Sequence, residues 1–239
     1  MLKPRYGHSS ILLEGGNVLI AGGSCGAEGF LGTTTEGACA PELYDPSKGT
    51  FSIADPAGTH HEEDAIKLVD GKVFLFCGGT IAEVYDPKSG KFARTGDAPQ
   101  RMDFCGSTLL HDGRVLVFGN LQINTSKKES PAWRVQIFDP VSGSFAWLQN
   151  PQLDINAPVL VSIEGNRALI SGEVNPDYDN VLSSEIFDGS KNEFSVLGAQ
   201  HPLRKGLTAT ELMDGTILLA GGSSIALPYN VRRAALFCP

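Results

Sequence analysis

The feature that most constrains this chain is internal repetition, because similar segments in series must bury their apolar faces against one another. Two markers recur in fixed order. The first is a tight turn leading into an apolar run that closes on glycine or a small polar residue: EGGNVLIAGG, VDGKVFLFCGG, HDGRVLVFGN, EGNRALISGE and MDGTILLAGG. Its second turn residue falls at Gly16, Gly71, Gly113, Asn166 and Gly215, with separations of 55, 42, 53 and 49 residues. The second marker reads ELYDPSKGTF, EVYDPKSGKF, QIFDPVSGSF and EIFDGSKNEF, carrying Asp45, Asp86, Asp139 and Asp188 at equivalent places. A last echo, AALFCP, puts Cys238 where the aspartate stands elsewhere.

Each marker predicts a hairpin. Asp-Gly between apolar runs favours a two-residue turn whose central positions both take positive φ. In the second marker the aspartate bonds its own downstream backbone, proline presets the next φ, and a glycine four residues after the aspartate supplies a left-handed residue. Gly90 and Gly143 fill that place, and Asn192 takes it in the fourth repeat, since asparagine tolerates the left-handed region. Every repeat therefore predicts four short strands: before the first turn, up to the glycines, up to the aspartate, and through the following phenylalanine. The repeats run approximately over 5–55, 56–98, 99–150, 151–200 and 201–239 of one domain.

The period and both markers resemble kelch repeats. The openings RYGHSSILL and RKGLTATEL also resemble the first strand of kelch and of the related galactose oxidase propeller. The resemblance implies an all-β propeller of five four-stranded blades, the last lacking its fourth strand. It says little about activity, because such propellers host both enzymes and adaptors.

Twenty-eight glycines and 14 prolines at 41% hydrophobic content fit a turn-rich globular chain. The net charge of −8 arises from 27 acidic and 19 basic residues spread along the sequence, which offers no basic stripe for phosphates and excludes nucleic acid as an expected partner. Every apolar run is too short for a membrane span. The first residues, Met1 to Arg5, carry no apolar signal region, and both a cytoplasmic and an exported location stay open. Five cysteines match no zinc spacing. Cys25 and Cys39 bracket one loop that a disulfide can close in an exported protein, whereas Cys77 and Cys105 fall on strand positions suited to small buried thiols.

Chain direction through four antiparallel strands sorts the loops. The tight turns share one end of each blade, and the connections from second to third strand share the other. Those connections are long and uneven: 24–40, 121–133, 175–183 and 223–232, against Thr80 and Ile81 alone in the second repeat. Long loops on a rigid scaffold are where recognition is carried. Thr34, Glu36, Asn124, Lys127, Lys128, Tyr178, Asp179, Tyr229, Asn230 and Arg232 are the expected contacts with a protein or glycan partner, combining hydrogen-bonding and aromatic groups.

The alternative is a hydrolase, lyase or oxidase-like enzyme with a site in the central channel. His60, His61 and Glu63 are the candidate metal ligands, but strand alternation sends the two histidines to opposite faces, so no metal or other cofactor is expected. The segment from Glu173 to Asn180 lacks the glycine and closing glutamate of a calcium loop. Galactose oxidase-like chemistry would require an adjacent Tyr-His pair, and none occurs; His8, His111 and His201 stand singly. With the fifth repeat ending at its third strand, the expectation is either a five-bladed propeller closed by blade packing or part of a larger one. The open edge of the last blade invites pairing with a second chain as a dimer.

Overall fold

The computed structural model describes residues 1–25, 39–54, 64–76, 79–99, 101–121, 132–148, 151–152, 155–174, 181–202, 205–223 and 234–238. Among these there are nineteen strands and no helix. The first blade comprises β1 (Arg5–Leu12), β2 (Val18–Cys25), β3 (Glu42–Asp45) and β4 (Thr50–Ile53); the second β5 (Asp64–Lys67), β6 (Val73–Phe76), β7 (Glu83–Asp86) and β8 (Lys91–Arg94). The third has β9 (Asp103–Leu109), β10 (Val115–Leu121), β11 (Ala132–Asp139) and β12 (Ser144–Trp147); the fourth β13 (Ile155–Ile163), β14 (Arg167–Val174), β15 (Val181–Asp188) and β16 (Glu193–Pro202). The fifth stops at three: β17 (Lys205–Glu211), β18 (Ile217–Ser223) and β19 (Ala235–Phe237). Within every sheet the strands lie in chain order, so the fold is a five-bladed β-propeller with a three-stranded last blade.

The first turn of each blade departs from the two-residue form. Leu13 accepts from the Gly16 amide (3.0 Å) and donates to Asn17 (2.8 Å), and Leu68, Leu110 and Leu212 repeat both bonds. Glu14 to Gly16 thus make a three-residue loop, and of its two glycines only Gly16 is left-handed (φ 86°). Asp70, Asp112 and Asp214 likewise keep negative φ before Gly71, Gly113 and Gly215. A three-residue loop ending in one left-handed glycine satisfies the strand twist with a single positive φ, which frees the aspartate to accept from the backbone instead. Of these first turns only that of the fourth blade places two successive residues, Gly165 and Asn166, at positive φ.

The second turns are uniform. Gly49, Gly90 and Gly143 lie at φ 66–69° and donate to the carbonyls of Asp45, Asp86 and Asp139, each at 2.8 Å. Asn192 takes the same conformation at φ 57° in the fourth blade. The fourth strand then lays a phenylalanine on an aromatic of the third: Tyr44 with Phe51 (4.7 Å between centroids), Tyr85 with Phe92 (4.8 Å) and Phe187 with Phe194 (5.0 Å).

Packing divides the chain into two compact units, Met1–Ser107 with Asp139–Phe145, and Thr108–Phe138 with Ala146–Pro239. In the first, Leu19, Ala21, Val73, Leu75 and Tyr85 are buried together between blades one and two. In the second, Leu116, Phe118, Val135, Ile155, Ile170 and Phe187 fill the space between blades three and four, while Ile163, Leu169, Ile217 and Leu219 join blades four and five. These residues recur at every second position, which is the alternation a sheet buried against its neighbour requires.

Candidate functional site

At the tight-turn end the polar groups are committed to the backbone. Asp45, Asp86, Asp139 and Asp188 each turn Oδ1 toward the amide two residues on, at 2.9, 2.8, 2.8 and 3.0 Å. Side-chain bonds from Lys48 and Ser47 hold Asp45 down to a pKa of about 2. Adjacent blades also join through these turns. Asn166 donates to the Asp112 carboxylate (2.8 Å) and accepts from the Asp112 amide (3.1 Å), and Arg114 ties Asp112 to the Gly189 carbonyl. In the first unit the Glu14 carboxylate lies over Gly71, where an added Cβ would meet Oε1 at 2.9 Å.

Beside that contact is a cleft of about 480 Å³ lined by Glu14, Gly15, Asp70, Gly71, Lys72, Asp86, Pro87 and Lys88. Within it Lys72 Nζ meets Asp70 at 2.8 Å, and that hydrogen bond raises the ammonium pKa while lowering that of the carboxyl. With three carboxylates and two ammonium groups in its lining, the cleft carries a small negative excess.

Two further polar clusters join residues far apart along the chain. Arg5 and Glu42 form an ion pair at 2.6 Å whose side chains are 1% and 2% exposed. The guanidinium also donates to the carbonyls of Gly22 (3.2 Å) and Ala40 (2.8 Å), and Glu42 accepts from the amides of Leu2 (2.7 Å) and Lys3 (3.3 Å). The start of the chain is thereby pinned to β3. Burial alone would raise the Glu42 pKa, but the Leu2 amide and the Arg5 guanidinium outweigh it and the net shift is downward. The same position of the second marker is buried in three other blades, as Glu83, Gln136 and Glu185.

The other cluster is Asp64 on β5, which accepts from the hydroxyl and amide of Ser107 on β9. Loss of hydration outweighs those bonds and lifts the carboxyl above its ordinary value of 3.8. Among the described residues no group of three or more histidines, cysteines and acids converges as a metal site.

Thr34, Glu36, Asn124, Lys127, Lys128, Tyr178, Asp179, Tyr229, Asn230 and Arg232 lie outside the described residues, as do His60, His61 and Glu63. Sequence reasoning passed over Arg5 and Glu42, and weighed Asp64 only as the last carboxylate of the run from His60 considered for a metal. The glutamate or glutamine heading each second marker was the available signal for the buried row. Cys105 was read as a thiol, but it is disulfide-bonded, as is Cys39; Cys238 is free and exposed. The Cys25 side chain lies outside the described groups.

The chain superposes on YjhT. That solved structure aligns with a TM-score of 0.64, covering 92% of this chain and 73% of the other at 16% identity. Identity this low carries the propeller fold and nothing of the activity. No family model matches the sequence, and no curated protein matches it.

Proposed function

We propose that the repeats are kelch repeats and that the chain is a non-enzymatic binding module, recognising a protein or glycan through the connections between second and third strands. The observation that carries this reading is the commitment of the opposite end: Asp45, Asp86, Asp139 and Asp188 all spend their carboxylates on their own turns. A face whose polar groups are satisfied internally has little left to offer a ligand. By sequence the long connections contain Tyr178, Asp179, Tyr229 and Asn230, aromatic and hydrogen-bonding groups of the kind recognition uses.

Glycan-array binding of the purified chain, repeated with Tyr178→Ala/Tyr229→Ala, tests it. A saturable signal that falls at least tenfold in the variant, with an unchanged melting temperature, is the expected result. Equal binding by both proteins overturns the assignment of the face.

Asp64 favours a second reading, an enzyme of hydrolase, lyase or oxidase-like type. Lost hydration raises the Asp64 pKa, which favours its protonated form, and a protonated carboxyl can donate a proton to a leaving group. On that reading Asp64→Asn abolishes a turnover that Tyr178→Ala/Tyr229→Ala leaves in place.

A further inference from the structure

The chain has five cysteines, of which Cys39 and Cys105 are in disulfides and Cys238 is a free thiol. A bond between Cys39 and Cys105 themselves is excluded by their places in the fold. The Arg5 guanidinium bridges the carbonyls of Gly22 and Ala40, which sets Cys39 beside the end of β2 in the first blade. Cys105 lies on β9, the first strand of the third blade. The whole second blade intervenes, since β1 packs on β5 and Asp64 of β5 bonds Ser107 of β9. A cystine needs Cα atoms within about 7 Å.

We infer that the chain carries two cystines, Cys25–Cys39 within the first blade and Cys77–Cys105 between the second and third, and that it matures in an oxidising compartment. The register supports both pairings. β2 and β3 align Ile20 with Glu42, and counting outward brings Cys39 level with Gly23, two residues from Cys25. Gly79 and Met102 form an antiparallel bridge, and the Met102 amide donates to the Gly79 carbonyl at 3.3 Å. Along the chain Cys77 precedes the bridged Gly79 by two residues and Cys105 follows the bridged Met102 by three. Each bond forms as two thiols give up two protons and two electrons to a small-molecule or protein disulfide, which leaves as two thiols. Four of five cysteines held this way belong to a chain that folds where such disulfides persist.

The first cystine closes the connection that carries Thr34 and Glu36, so on the binding reading above it shortens the tether on two of the candidate contacts. The second ties two blades covalently near the start of the third.

Peptide mapping of the full chain, produced under oxidising conditions and alkylated without reduction, tests the pairing. Cleavage after Glu28 and Glu36 separates Cys25 from Cys39, and cleavage after Lys88, Lys91, Arg94 and Arg101 separates Cys77 from Cys105. The expected result is one alkylated cysteine, Cys238, and two linked peptide pairs. Cys39→Ser should expose only Cys25 to alkylation, and Cys105→Ser only Cys77, so failure of one variant to fold still leaves the other. Full reduction should lower the melting temperature by roughly 10 °C. A Cys39–Cys105 link, five alkylated thiols, or a melting temperature indifferent to reduction overturns the inference. Because the mapping reads covalent bonds, its outcome is independent of whether the long connections bind anything.

Discussion

Replacing Arg5 by methionine isolates the energetics of the buried pair that pins the start of the chain. The substitution keeps most of the aliphatic volume but leaves the Glu42 carboxylate, 2% exposed, without its cation, and strands the Gly22 and Ala40 carbonyls that the guanidinium served. Removing one member of a buried ion pair costs about 3–5 kcal/mol, because the remaining charge is uncompensated. For a chain of this size that corresponds to a fall in melting temperature of roughly 6–20 °C. Urea denaturation at pH 7 followed by far-ultraviolet circular dichroism reads it, since that signal reports the strands of the first unit, which holds the pair, as well as those of the second.

The double variant Arg5→Met/Glu42→Leu should recover most of the loss, because it removes the orphaned charge, and the Leu2 and Lys3 amides can turn to water at the exposed terminus. The sign of the pH dependence follows from the lowered Glu42 pKa. The pair's contribution is complete above the ordinary value of 4.5 and is lost as pH falls through the folded value, so the variant and the parent should converge in acid. A single variant within 0.5 kcal/mol of the parent, taking roughly that as the spread of a neutral surface change, would refute the reasoning.

Four further outcomes are expected. Gly23→Ala should destabilise by about 2–4 kcal/mol, because its φ of +81° strains any side chain and the new Cβ would meet the Tyr6 carbonyl at 2.6 Å. Gly49→Ala, with φ +67° and open space around it, should cost only about 1–2 kcal/mol in the same denaturation assay. Phe194→Ala should cost about 2–3 kcal/mol by removing the partly buried ring that packs on Phe187, and Phe194→Leu should restore part of it. Carbon-detected titration of Asp45 should give a midpoint near 2, its contribution being complete above 3.8 and lost as pH falls through the lower value; a midpoint at 3.8 would mean the Lys48 and Ser47 bonds are absent in solution.

The strand order and the turn positions were legible in the sequence because both markers act locally. Proline, glycine and aspartate within five residues of one another fix a hairpin whatever surrounds it, and five first turns with four second turns in series leave few arrangements other than radially packed sheets. Even the asparagine at 192 could be assigned its left-handed conformation from the spacing alone. The form of the first turn was not legible, since Asp-Gly suits both a two-residue turn and a three-residue loop, and strand twist over the whole hairpin selects between them.

What only the tertiary structure decided are the partners that lie far apart along the chain. Arg5 meets Glu42, Asp64 meets Ser107, and Cys105 is bonded where its strand position suggested an idle thiol. Local preference is written in neighbouring residues, whereas these pairs depend on which face of one blade turns toward the next. That choice is made by the packing of apolar residues over the entire sheet, and no short stretch of sequence contains it.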